Sequence, residues 1–375
     1  MPPGVLRSAA VLLVLGGGPA QRHAIEAAAA ESLRAVVCDA DPAVADVLVS
    51  TEDLDGVVRT ARELDAAGLI APGTDWPVRI AAEAAERLGL PHPIGALAAR
   101  TATDKLAQRR AYAEAGIPQP TWSAEGPPSF PCVVKAPDLQ GQRSMTVVRR
   151  REHLASAVER ARSGSRTGRV LYEALVPGRE GTFNGFLVDG LMHRVMVTDR
   201  IHFSDAFGVA MMHVFPPERG ADEAAAVGER AMAALGVDQG PVYVQIVLGP
   251  DGPVVIEAAA RLGGGHDSEL ARRVTGADLA RAAVLAAVGR PVPSALVEAN
   301  PTGAGAIGFL RAPAGTLRAA TGPAGVTLYH GPGHRYAPLS VATDRAGYVL
   351  VTAADREEAI AAARTAIESV SFEVT

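Results

Sequence analysis

The chain has 375 residues, 48% of them hydrophobic, and a formal net charge of −5. That length supports two or three domains with their own cores, and a slightly acidic chain without a basic stripe argues against a nucleic-acid partner. No apolar run reaches the roughly 18 residues of a membrane helix, the early segment VLLVLGGG lacks the layout of a secretory signal, and Cys38 and Cys132, both in apolar runs, read as buried free thiols of a reducing cytoplasm.

An apolar strand at 11–17 ends in glycines, an alanine-rich helix covers 21–32, and a second strand at 34–41 ends in acids. A helix at 58–68, a strand at 69–75 and a helix at 78–89 continue the alternation expected of a parallel, doubly wound sheet, closed by Pro91 and Pro93. A helix at about 103–115 opens on Asp104, whose charge suits the N-terminal end of the helix dipole. After a proline-rich turn come a strand at 131–138, the polar loop LQGQRS at 139–144, a strand at 145–150 and a helix at 152–164. Runs at 169–178, 180–190 and 191–200 read as antiparallel strands joined by glycine turns, which makes this part α+β. Residues 242–261 form a hairpin around Pro-Asp-Gly, a helix spans 276–289, and short strands precede a final helix at 355–370. There is no repeat, low-complexity tail or long linker.

Lysine plus arginine total 36, yet only Lys105 and Lys135 are lysines. A compact ammonium suits a phosphate oxygen at a tight site in a way a guanidinium does not, and Lys135 ends a strand beside a flexible polar loop, an arrangement able to hold nucleotide phosphates. Among the acids, Glu173 ends the strand RVLYE, Glu180 follows it, and Glu257 ends VVIE with Gln245 on the partner strand of the hairpin. A carboxylate among apolar strand residues needs a cationic partner, and magnesium takes one or two such ligands plus phosphate oxygens. Arg261, before Gly263-Gly264-Gly265, is placed to brace a developing negative charge. The opening GGGPA only partly matches G-x-G-x-x-G, because position 21 is Gln. With Asp39 as ribose acid it would bind a nicotinamide cofactor, but a tight turn at a strand end is the preferred reading.

The segments TATDKLAQRRAYAEAGIPQP, FPCVVKAPDLQGQRSMTVV, VLYEALVPGREGTFNGFLVDG and VYVQIVLGPDGPVVIEAAARLGGG resemble, in order and spacing, the ATP-grasp superfamily of carboxylate–amine ligases. The resemblance spans nearly the whole chain. It implies a doubly wound N-terminal domain at 1–98, an ATP-grasp domain at 99–297 with a small lobe at about 99–170 and a large lobe at about 171–297, and a C-terminal α+β segment at 298–375 packing on the large lobe. It further implies that Lys105 and Lys135 contact ATP phosphates, that Gln140, Gly141 and Ser144 belong to a phosphate-covering loop, and that Glu173 and Val176 form the adenine hinge. Glu180 then falls at the ribose, Gln245 and Glu257 at one or two Mg2+ ions, and Arg261 at the acyl phosphate, while Gly264 and His266, in and just after the glycine turn, are candidates to line the substrate pocket.

Two departures bear on function. The first metal position, often Glu, is Gln245, as in the carbamoyl-phosphate synthetase branch, and Ala259 replaces the Asn of E-x-N-x-R. IEAAARLGGG is similar to the E-S-A-A-R pattern of bacterial L-amino-acid (dipeptide) ligases, which points to an amino acid or small peptide as substrate. The expected reaction is attack of a carboxylate on the γ-phosphorus of ATP and capture of the acyl phosphate by an amine, with small-molecule partners only and a homodimer left open. Asp267 reads as a helix N-cap or as part of an acceptor pocket, and His202 and His213 bracket either a substrate loop or an exposed one. Alternatives are a bicarbonate- or purine-type ligase, and a nucleotide-binding regulatory protein without turnover.

Overall fold

A computed structural model describes residues 9–375. The N-terminal part is a parallel sheet in the order Val47–Leu48, Leu33–Asp39, Ala10–Leu15, Ala66–Ile70. Alternate residues of its central strand enter different cores. Val11, Leu13 and Leu15 join Val57, Ala61, Val78 and Ala81 of helices Leu54–Glu63 and Asp75–Leu88, whereas Leu12 and Val14 join Ala24, Ala27 and Ala28 of helix Arg22–Ala30. A strand covered on both faces must be apolar throughout, which is why its sequence shows no alternation. Helix Leu279–Ala287, distant in sequence, packs into the second of these cores.

Gly68, the last residue of the segment 58–68 that reads as a helix, lies inside strand Ala66–Ile70. The helix ends earlier, at Glu63, after a start capped by Asp53, which accepts from the Gly56 amide. Gly68 is needed because the Ala287 carbonyl packs where a Cβ would sit.

A second sheet runs Trp122–Ser123, Leu171–Ala174, Cys132–Lys135, Met145–Val148, with Ala157 and Ala161 of helix Leu154–Gly164 packed on Cys132 and Val134. Strand Leu171–Ala174 therefore belongs with Lys135, and the break between sheets falls at 175–178 rather than at 170. The apolar run hid this change of partner, since hydrophobic pattern does not say which sheet a strand joins.

The third sheet is antiparallel, in the order Gly252–Ala259, Gly240–Gly249, Arg179–Val188, Leu191–His202, Ala210–Phe215, Ala304–Leu310, Gly347–Ala353, Val326–Leu328. Its strands Ala304–Leu310, Gly347–Ala353 and Val326–Leu328 come from the C-terminal part, which also carries a three-stranded sheet and helix Arg356–Glu368. His202 and His213 flank a short loop, but from within strands. They lie on adjacent strands of this sheet, with only 203–209 between those strands. Helix Ala221–Ala234 has no counterpart in the sequence reading, whereas helix Asp267–Thr275 starts where Asp267 reads as an N-cap. Among the described residues no helix is long and apolar enough to cross a membrane.

Candidate active site

The three large sheets and the C-terminal part converge on a cleft of about 430 Å³. Lys105, Lys135, Gln140, Gly141, Gln245, Glu257, Arg261, Gly264 and His266 all line it.

Lys135 sits at the end of strand Cys132–Lys135, whose Cys132 and Val134 are fixed in the small core. Its ammonium lies 2.7 Å from Glu173 Oε2, while Arg109 Nε lies 2.7 Å from Oε1 of the same carboxylate. Burial pushes the Lys135 ammonium below its usual value, against the pull of Glu173, with Arg109 and Lys105 adding to the fall. Burial alone would raise Glu173, but Arg109 and Lys135 outweigh it and hold the carboxylate down.

Lys105 opens helix Lys105–Glu114, whose cap Asp104 accepts from the Leu106 and Ala107 amides. Its ammonium donates to the Leu139 carbonyl at 2.6 Å and pairs with Glu257 Oε1 at 2.9 Å. Burial opposes the charge on Glu257, yet Lys105 and Lys135 hold it down to about 2.

Gln245 and Glu257 face each other across the hairpin because of a β-bulge. Counting back from the turn pairs Val255 with Ile246, and the register then shifts so that Gln245 pairs with Glu257, leaving Ile256 as the extra residue. Gln245 Nε2 donates to the Tyr243 hydroxyl at 3.2 Å, which commits its nitrogen and leaves its carbonyl oxygen for a ligand. A carboxylate and an amide oxygen side by side fit a hard cation that draws its other ligands from phosphate and water. Among the described residues no group of three or more His, Cys, Asp or Glu side chains forms a self-sufficient metal cage.

Arg261 pairs with Asp75, the first residue of helix Asp75–Leu88, and the Asp75 amide donates to Gln140 Oε1. The N-terminal part, polar loop and large sheet are thereby tied at one point. The loop turns through left-handed backbone at Gly141, Gln142 and Ser144 (φ 68°, 63° and 54°). The glycines after Arg261 are close-approach residues. A Cβ on Gly263 would strike Asp267, one on Gly264 would lie 2.9 Å from the Gly73 carbonyl, and one on Gly265 would lie 2.6 Å from His213 Cε1.

Four expected residues lie off the cleft lining. Glu173 is buried behind Lys135, Ser144 accepts from the Ala136 amide, Val176 is half-buried in the connection between sheets, and Glu180 faces Arg200 and His202 at 3.3 and 3.0 Å. Gln21, which breaks the dinucleotide pattern, packs on Gly16 and Gly18 and donates to the Pro72 carbonyl at 2.8 Å, while Asp39 accepts from the Gly17 amide at 3.0 Å. Both are turn-holding roles. Asp267 is not the cap of its helix, which is His266 in left-handed backbone. It lies 3.1 Å from His213 Nδ1.

The sequence reading missed Asp75, Arg200, Tyr243, Tyr329, His330 and Arg345, all paired to or lining the cleft. An acid at a strand-to-helix junction marked Asp75. For Tyr329, His330 and Arg345 there was no signal, since they reach the cleft from the C-terminal part through tertiary packing.

Residues 307–375 match the family model described as L-amino acid ligase C-terminal domain 2. An uncharacterized protein, y4rH, of Sinorhizobium fredii is 25% identical, the match covering 94% of this chain and 80% of that one. The fold is similar to the crystal structure of an L-amino acid ligase from Bacillus licheniformis, with a TM-score of 0.83, 19% identity, and 98% and 100% of the two chains covered. It is also similar to the biotin carboxylase domain dimer of the Hydrogenobacter thermophilus 2-oxoglutarate carboxylase in complex with MgADP, ADP and bicarbonate (TM-score 0.77, 17% identity, 97% and 90% covered). The chain thus carries the ATP-grasp fold, ending in a segment that matches the L-amino acid ligase C-terminal domain.

Proposed function

We propose that the protein is an ATP- and magnesium-dependent ligase that activates a carboxylate as an acyl phosphate and joins it to an amine, with an amino acid among its substrates. The observation that carries the reading is the convergence of both lysines of the chain, from separate elements, on the cleft that also holds Gln245, Glu257 and Arg261. Lys105 and Lys135 would hold the nucleotide phosphates and offset charge on the transferring group. Gln245 and Glu257 would hold Mg2+, which when bound supplies Lewis-acid polarisation of phosphate oxygens. Arg261, fixed by Asp75, would steady the acyl phosphate, and the 139–144 loop would exclude water from it. The preference for an amino acid over bicarbonate or a purine-type carboxylate is supported by the C-terminal family match and the name of the Bacillus licheniformis protein.

The test is phosphate release from ATP and Mg2+ across amino acids, amino-acid pairs and bicarbonate, with Lys135→Ala and Glu257→Ala alongside. Release that needs a pair, yields an amide by mass, and falls about 100-fold or more in both variants is expected. Release with bicarbonate alone would move the substrate class to carboxylation, and nucleotide binding without release under any condition would replace the ligase by a sensor.

A further inference from the structure

The cleft is lined by two buried side chains whose hydrogen-bonding capacity is only partly used among the described residues, Arg345 from the C-terminal part and His213 from strand Ala210–Phe215. Arg345 is only 8% exposed, yet no carboxylate lies within ion-pair distance of it among the described residues. Its Nε donates to the Ala342 carbonyl at 2.8 Å and its guanidinium carbon lies 3.7 Å over the Phe309 ring. Its other guanidinium N–H groups make no hydrogen bond among the described residues, and Arg345 lines the cleft. A buried arginine without a counter-ion is costly, and burial indeed pushes this guanidinium below its usual value.

His213 is the second group. It is 2% exposed, packs edge-on against the same Phe309 ring at 5.3 Å, and lines the cleft beside Gly265. Its Nδ1 lies 3.1 Å from Asp267 Oδ1, and its Nε2 is buried with no partner among the described residues. With Asp267 ionised, Nδ1 carries the proton and Nε2 presents a lone pair. Burial pushes the imidazole down despite Asp267, so that this lone pair is free at neutral pH.

We propose that Arg345 and His213 form the acceptor subsite, in which Arg345 binds the carboxylate of an α-amino acid and His213 Nε2 takes a proton from its ammonium group. This rests on the ligase reading above and assigns the second substrate within it. Both groups sit on one phenyl ring, so a carboxylate and an amine held by them belong to one small molecule that carries the two within a few bonds. In the step itself, one ammonium proton passes to His213 and the freed lone pair attacks the acyl-phosphate carbonyl carbon. The C–N bond forms as the C–O bond to phosphate breaks, and the second nitrogen proton leaves with the phosphate. Asp267 is a positioning residue that fixes the imidazole tautomer.

The experiment measures kcat/KM for acceptor pairs that differ only in the carboxylate, such as L-alanine against L-alaninamide, in the wild type, Arg345→Met and Arg345→Lys. Hydroxylamine capture of the acyl phosphate is run in parallel. The wild type should prefer the acid, and Arg345→Met should reduce that preference by roughly 10- to 100-fold, the worth of one charge-assisted hydrogen bond, with Arg345→Lys between them. Because the readout is a ratio within each variant, partial misfolding does not alter it. His213→Gln should lower amide formation relative to hydroxamate formation, since hydroxylamine reacts without shedding an ammonium proton, and Asp267→Asn should lower the same ratio less. An unchanged acid preference in Arg345→Met, or an unchanged amide-to-hydroxamate ratio in His213→Gln, overturns the subsite while the ligase reading stands. A wild type that forms no hydroxamate with any carboxylate overturns the ligase reading and the subsite with it.

Discussion

Replacing Glu173 by Gln isolates what holds Lys135 in place. Glu173 is wedged between Arg109 and Lys135, and the three side chains are 3%, 1% and 7% exposed. Glutamine keeps the shape but leaves two buried cations with no anion between them. Removing one partner of a buried ion pair costs about 3–5 kcal/mol, and with two stranded cations the upper part of that range is expected. Lys135→Met should cost under about 2 kcal/mol, because Glu173 keeps Arg109 and an already expensive buried ammonium is gone. The double variant should recover part of the Glu173→Gln loss. Trp122 pairs with Glu173 in the strand register, so its fluorescence reports on this sheet, and a Trp76→Phe background removes the other tryptophan. Urea titrations in that background give the three free energies. A Glu173→Gln cost below about 1 kcal/mol, or a larger cost for Lys135→Met than for Glu173→Gln, would refute the reasoning.

Glu257 is held down to about 2 from an ordinary value of 4.5, so its ion pairs contribute stability that is present above 4.5 and lost as the pH falls toward 2. Glu257→Gln should therefore lose less stability than the wild type between about pH 5 and about pH 3, and parallel acid limbs in urea titrations would contradict this. Gly265→Ala places a methyl group 2.6 Å from His213 Cε1 and should cost about 1–3 kcal/mol by overpacking. Gly276→Ala, left-handed but with open space around it, should cost about 1 kcal/mol from backbone strain alone; a Gly265→Ala cost well below about 1 kcal/mol would show that the contact with His213 is not tight.

The parts of the site legible in the sequence are those whose chemistry contradicts their surroundings. Two lysines in an arginine-rich chain and a carboxylate and an amide within apolar strands stand out because burying them requires partners. The hairpin placed Gln245 near Glu257 by simple counting, but the bulge that makes them direct partners is invisible to a period-2 pattern. Asp267 looked like a cap because caps and buried acceptors use the same residue types, and His213 looked like a loop residue because FSDAFG beside it is polar. Arg345 gave no signal, since a lone arginine near a chain's end is ordinary until the fold brings it onto Phe309. The parallel N-terminal sheet was read with its boundaries displaced by several residues. Gly68 falls at the end of a helical pattern, yet its small size serves a contact with Ala287, more than two hundred positions away.

Scarcity of lysine, and the depth at which both sit, has a further consequence for the chemistry the surface offers. Reagents that acylate ammonium groups find no side-chain target on the folded exterior, because Lys105 and Lys135 are about 6% and 5% exposed. A protease that cuts only after lysine likewise faces two bonds, one at the start of a capped helix and one at the end of a paired strand. Cleavage at either one reports that the cleft itself has come apart, and the two bonds serve as an intrinsic gauge of its opening.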